Sequence, residues 1–491
     1  MRSPKITIIE YLLPKLGDVL FISIAVGVVM YGAKLFNLDG DLGRHITIGN
    51  YILESVSIPV RDVFSHTMDG EILVPHEWLA QIAFALAHRL MGLNGDVLLT
   101  ALIIALTFAI KYNEIQKRGV SALPALAILI WVAATSSIHW LARPHIFTLL
   151  FVSIWSYQME KVRARTQTKI FIFPILMLVW ANTHGAFIAG FVILGAHLFE
   201  WIVLHLQKSA AWEEGRRLII IGVTSLAVTF INPAGYRLWT TSLGYIQNRY
   251  LTSHTVEYLP PNFQDPAMWA FALMIFYGLA SLGSRKVLPL RESLLMAGWM
   301  LMSLFSMRNI PLFAIISAPA FATLLHSQTS EIKRLSALNE KIESVESQIK
   351  GGGWSILAII LLGVVLYRGT PLDREGYRYN PDVFPVEAVA WLQTNPQTGN
   401  MFNSFTWGGY ILYQTWPQYP VFIDGQTDFY GESLTREYES IISLTDGWET
   451  LLQKHDVSWV IIETDSALAL ALSENGWRVL YEDDTAIILR E

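Results

Sequence analysis

Apolar runs long enough, or nearly long enough, to cross a bilayer occupy about residues 17–37, 95–110, 120–138, 144–159, 170–182, 186–206, 218–231, 267–283, 293–307, 310–326 and 353–367. A crossing helix needs roughly 20 apolar residues, and several of these runs are nearer 15, so the pattern predicts about 11 crossings. Between the first two runs, HEWLAQIAFALAHRLM (76–91) repeats as a helix with Glu77, Gln81 and His88 on one narrow stripe. Such a helix suits the membrane interface, or a bundle in which the stripe faces a cavity. Residues 327–350 are polar and charged throughout, predicting a surface helix before a Gly351–Gly353 step into the last crossing.

Beyond the last run the periodicity changes. Val386–Thr394, Arg436–His455 and Ala467–Glu474 read as helices, Pro420–Asp424 and Trp459–Ile462 as strands, and Trp477–Arg490 as a hairpin around Asp483. Strands alternating with helices predict a compact α/β module. The expected organisation is a polytopic α-helical membrane part, residues 1–368, followed by a soluble α/β domain, 369–491. The membrane part carries a first outer loop, 38–94, a long outer loop, 232–266, and the charged 327–350 helix on the inner side.

Charge sharpens this division and orients it. Only 15% of residues are charged, against about a quarter in soluble domains. Thr370–Glu491 has 19 acidic and 6 basic residues, a net of −13, whereas the remainder is +7. With the tail outside, the predicted inner segments hold 20 Lys and Arg and the outer ones before the tail only 7. That is the positive-inside asymmetry. It predicts a plasma-membrane protein with a cytoplasmic N-terminus and an extracytoplasmic tail. The basic start, Met1–Lys15, has no small-residue cleavage site and leads into a first membrane helix. There is no cysteine, which excludes disulfides, thiolate nucleophiles and cysteine-based metal sites.

In this orientation the polar residues near the apolar runs gather on the outer side: Asp39, Asp41, His45, His76, Glu77, His139, Arg143, His145, Asn182, His184, Asn232, Glu257, Arg308 and Asn309. Polar groups at membrane depth are costly and face a bundle interior or wet cavity; taken singly, each also suits a helix end at the headgroups. Asp39 and Asp41 offer the oxygen ligands that Mg²⁺ or Mn²⁺ prefers. Asp41 and His45 share a helix face if a helix starts at Leu42. Arg143 and Arg308 have the planar fork that holds phosphate. Walker, dinucleotide, HExxH and GxSxG motifs are absent, which counts against ATP-driven transport and the common hydrolases. No nucleic-acid partner is expected.

An acidic motif in the loop after the first crossing resembles that of the GT-C membrane glycosyltransferases, and the layout is similar to the oligosaccharyltransferase catalytic subunit. Asp41 matches the family's first-loop acid. Thr255-Val-Glu257 resembles its TxxE-like motif, one residue shorter. Thr406-Trp-Gly-Gly-Tyr410 resembles the WWDYG motif, with a single tryptophan and Gly408 in place of aspartate. DLGRHITIGNYILE, HEWLAQ, LARPHIF, ANTHGAF, MRNIPLFA and WGGYILY…PVFIDGQTDFYG are similar, across nearly the whole chain, to those of bacterial membrane proteins of GT-C type.

The resemblance implies an inverting, metal-assisted transfer of a sugar from a polyprenyl-linked donor, within the bilayer, to a glycan, lipid or protein acceptor outside. Asp41 is then base or metal ligand, and Glu257, Asp39 and Glu77 help hold Mg²⁺ or Mn²⁺. Arg308, Arg143, His145 and His184 face the donor phosphate, and Trp407, Tyr410, Asp424 and Asp428 shape the acceptor side. Two other classes remain open: a transporter or flippase for lipid-linked saccharides, and a non-catalytic scaffold of a surface-assembly complex that docks through its acidic tail.

Overall fold

The computed structural model describes residues 9–163, 169–283, 286–369 and 375–491. Most of the basic start, parts of the inner segments 160–169 and 284–292, and the step just after Gly369 lie outside the described residues.

Each of the predicted apolar runs lies on a helix, from Leu16–Tyr31 and Leu93–Lys117 at the start to Ile310–Thr329 and Trp354–Tyr367 at the end. By length and composition, 6 stretches among the described residues can cross a membrane: Glu10–Tyr31, Leu93–Lys117, Ala122–His139, Gly185–Leu206, Pro266–Gly283 and Met307–Thr329. The apolar helices Ile172–Ala181 and Trp354–Tyr367 are shorter. The chain is a multi-pass membrane protein, with fewer crossings secured by length than the run count suggests.

One end of the bundle is held by charge. Arg291, 1% exposed, pairs with Glu160 at 3.0 Å and Glu200 at 2.6 Å. Arg118 pairs with Glu114 at 3.0 Å and Glu292 at 2.7 Å, and Lys111 with Glu114 at 2.9 Å. Charges this buried persist only when paired, and here they tie four helices together. The predicted charged helix forms as Lys333–Gln348 and lies at this same end. Its Glu346 accepts a hydrogen bond from the Leu16 amide, and Lys350 pairs with Glu10.

The 38–94 loop contains two helices, Asp41–Ser55 and Trp78–Met91, at the opposite end. On the second, the stripe residue His88 bonds Asp96 at 2.8 Å and Gln81 is buried, its Oε1 without a hydrogen-bond partner among the described residues.

Among its described residues the tail holds four strands, β1 (Asn400–Asn403), β2 (Val457–Glu463), β3 (Arg478–Glu482) and β4 (Ala486–Arg490), in the order β1-β2-β4-β3. β1 and β2 are parallel, and the other pairs antiparallel. The helices Val386–Thr394 and Ala467–Glu474 and the terminal hairpin form as predicted. Two expectations do not hold. Pro420–Asp424 is outside the sheet: Pro420 has no N–H to give a ladder, and Val421 instead bonds Phe64 and His66 of the first outer loop. Arg436–His455 is two helices, Thr427–Ile442 and Trp448–Lys454. The break runs through Leu444 and Gly447, both with positive φ.

The tail seats directly on the 38–94 loop. Its helix Gly408–Thr415 meets Asp41–Ser55 backbone to backbone: a Cβ on Gly43 lies 2.4 Å from the Gly409 carbonyl oxygen. Only glycine permits that approach.

Candidate functional site

The seam between tail and membrane part collects most of the sequence-predicted residues. Asp41 opens its helix, where the exposed amides favour a carboxylate, and its own amide donates to Asp39 at 3.2 Å. From the turn before the His145–Arg163 helix, Arg143 reaches three carboxylates. It lies 2.7 Å from Asp41 Oδ2, 3.0 Å from Asp39 Oδ2 and 2.7 Å from Glu257 Oε1. Carboxylates from two distant stretches of the chain thus converge on one guanidinium.

Glu257 links this group to Arg308, 3.9 Å away. Arg308 donates to the Tyr258 hydroxyl at 2.9 Å and contacts His184 Nε2 at 3.4 Å. It therefore turns into the site. His184 Nδ1 is 2.9 Å from the Thr148 hydroxyl, which also accepts from Trp180. His145 Nε2 is 2.8 Å from the His139 carbonyl, and the two rings are 4.3 Å apart.

A second group surrounds Arg44, which sequence reasoning left out. Its guanidinium is 3.7 Å from Asp424, 4.0 Å from Glu77 and 2.9 Å from the Gln426 amide oxygen. Arg44 follows Asp41 by three residues, so helical spacing put it on the same face, and an arginine there was the available signal. His76 stands 3.9 Å from both Glu77 and Asp428. Asp41 and His45 are both buried but turn to different partners, His45 lying 3.9 Å from Glu77.

Asp424 and Asp428 thus face Arg44 and His76 of the 38–94 loop, whereas Trp407 and Tyr410 are buried in the tail. Trp407 donates to the Val383 carbonyl at 2.8 Å and borders a cavity of about 730 Å³, which also touches Glu463, Asp465 and Asp483. Gly425 lies against Asp41: a Cβ there falls 1.9 Å from Oδ1.

Burial raises the Asp39 carboxyl to about 6 despite Arg143, with Asp41 and Glu257 adding to the rise. Burial pushes Glu257 up as well, but Arg143, His139 and Arg308 outweigh it and hold that carboxyl below its ordinary value. Asp424 is raised to about 6 by burial against the pull of Arg44. His45 is held well below its ordinary value by burial and then by Arg44, which favours the neutral ring. Three buried nitrogens, Arg44 Nε, His45 Nδ1 and His139 Nε2, have no hydrogen-bond partner among the described residues.

The residues do not fit a divalent cation in this arrangement. Among the described residues no group of three or more His, Asp or Glu side chains is disposed to hold a metal. Asp39, Asp41 and Glu257 do converge, but on N–H donors.

No family model and no curated protein matches the chain in sequence. Solved structures do match in fold. The archaeal oligosaccharyltransferase AglB from Archaeoglobus fulgidus, in complex with an inhibitory peptide and a dolichol-phosphate, aligns with TM-score 0.59 and 13% identity over 95% of this chain and 74% of that one. ArnT from Cupriavidus metallidurans bound to undecaprenyl phosphate aligns with TM-score 0.52 and 13% identity over 96% and 97%. The Archaeoglobus enzyme in complex with Zn and sulfate gives TM-score 0.53 and 13% identity over 96% and 73%. The chain therefore shares its overall fold with these membrane enzymes, in keeping with the layout read from its sequence.

Proposed function

We propose that the protein is an inverting glycosyltransferase that moves a sugar from a polyprenyl-phosphate or -diphosphate donor to an acceptor on the outer face of the plasma membrane. The observation that carries this reading is the meeting of Asp41, Arg143, Glu257 and Arg308 at one end of a bundle whose fold is that of lipid-phosphate-binding structures. In the reaction, an acceptor hydroxyl or amide attacks the anomeric carbon opposite the phosphate oxygen. The new acceptor–carbon bond forms as the carbon–oxygen bond to phosphate breaks, and Asp41 takes the acceptor's proton. Arg308 neutralises the charge that grows on the leaving phosphate; its fork meets Tyr258 at 2.9 Å and has longer contacts to His184, at 3.4 Å, and Glu257, at 3.9 Å. Asp424 and Asp428, brought by the tail, border the acceptor side.

The test uses purified protein, a sugar-labelled polyprenyl-phosphate donor and a membrane extract as acceptor source. Wild type transfers the label. Asp41→Asn does not, while its melting temperature stays near that of wild type because Arg143 keeps Asp39 and Glu257 as partners. A fully active Asp41→Asn protein overturns the site assignment. Failure of wild type to bind undecaprenyl phosphate at all overturns the function.

The transporter reading draws on charged residues within the bundle. Those at the end opposite the site are paired with one another around a cavity of only about 30 Å³. That arrangement favours a clasp over a passage.

A further inference from the structure

We infer that Arg143 occupies the position of a divalent cation in this site, so that sugar transfer by this chain needs no metal. The inference rests on the proposed transfer reaction but makes a separate claim about its site. Three carboxylates brought to one point repel one another and need a cation between them. Here Asp39 and Glu257 accept hydrogen bonds from one guanidinium at 3.0 and 2.7 Å, and Asp41 forms an ion pair with the same group at 2.7 Å. Mg²⁺ demands oxygens at about 2.0–2.1 Å in near-octahedral array, and the Arg143 nitrogens already stand where that ion has to sit.

The arginine is also built in. It lies in the turn where the Leu141 carbonyl accepts its own amide, one residue before Pro144 and the His145–Arg163 helix. The Ala142 amide beside it bonds the Leu35 carbonyl at the end of the first apolar run. The fork is planar and permanently charged, so it sets direction as well as sign. It holds Asp41 Oδ2 and leaves Oδ1 on the Gly425 side, where the tail reaches the site. Arg143 is thus a positioning residue: it orients the base and balances the carboxylates without taking the proton.

The experiment has two readouts. The first is transfer by wild type in EDTA and with added MnCl₂; the expected rates agree within about twofold. The second is Mn²⁺ binding, followed by electron paramagnetic resonance and by melting temperature, with no donor present. Wild type is expected to bind no stoichiometric Mn²⁺. Arg143→Ala is expected to lose about 10²-fold in transfer in EDTA, to gain a Mn²⁺ signal, and to recover part of its rate with Mn²⁺. A merely structural arginine would not exchange for a metal ion in this way.

Loss of wild-type transfer in EDTA with recovery in Mn²⁺, or one tightly held Mn²⁺ in wild type, overturns the inference. If Arg143→Ala fails to fold, the two wild-type measurements still decide. If no donor supports transfer, Mn²⁺ binding decides alone, so failure of the function and failure of this inference are distinguishable.

Discussion

Gly425→Ala tests whether the tail completes the site. The added Cβ falls 1.9 Å from Asp41 Oδ1, where real Cβ atoms essentially never come nearer than 3.0 Å. About 1 Å of movement is therefore forced on one side or the other. Asp41 can yield only by giving up its 2.7 Å contact with Arg143. Gly425 can yield only by dragging Asp424 and Gln426, both in contact with Arg44. Overpacking of this size costs about 1–3 kcal/mol, and about 1 Å of misplacement at a reacting group costs about 10²-fold in rate. We expect Gly425→Ala to melt a few degrees lower and to transfer sugar about 10²-fold more slowly. Gly244→Ala is the control: it sits in the Arg237–Gln247 helix with nothing within 4 Å of its Cβ, and a helical Gly→Ala change is neutral to mildly stabilising. A Gly425→Ala protein indistinguishable from both wild type and the control, in melting and in transfer, refutes the interlock.

Arg308→Lys keeps the charge but not the fork, so undecaprenyl-phosphate binding should fall at least tenfold with folding intact; equal binding moves the case to the scaffold reading. A reporter after Glu491 should be active only outside the cytoplasm and one near Ser336 only inside, and the reverse pattern would sink the outward-facing site. Asp424, at about 6 in the fold against an ordinary 3.8, keeps a proton that the unfolded chain loses between roughly pH 4 and 6. Stability therefore falls as pH rises through that window. Melting temperature should drop from pH 5 to 7.5, and drop less in Asp424→Asn; equal slopes would remove Asp424 as the cause.

The amino-acid pattern alone was enough for the apolar helices, the acidic tail and its change of periodicity, because 3.6-residue repeats and hydrocarbon length are local properties of the chain. It was also enough to name Asp39, Asp41, Arg143, Glu257 and Arg308, since a charge beside an apolar run needs a partner wherever the chain goes. Which partner was not legible. Arg143 read as a phosphate holder, yet its three carboxylates come from residues 39, 41 and 257, and nothing local pairs positions about a hundred residues apart. The Pro420–Asp424 segment read as a sheet strand because its composition suits one, but extended backbone takes whichever edge is offered, and the first outer loop offered it. Arg44 passed unnoticed for the same reason: Asp424 and Gln426, its tail partners, arrive only when Gly40, Gly43 and Gly409 let two backbones touch. Contacts of that kind are decided by packing in three dimensions, where a missing side chain matters as much as a charged one.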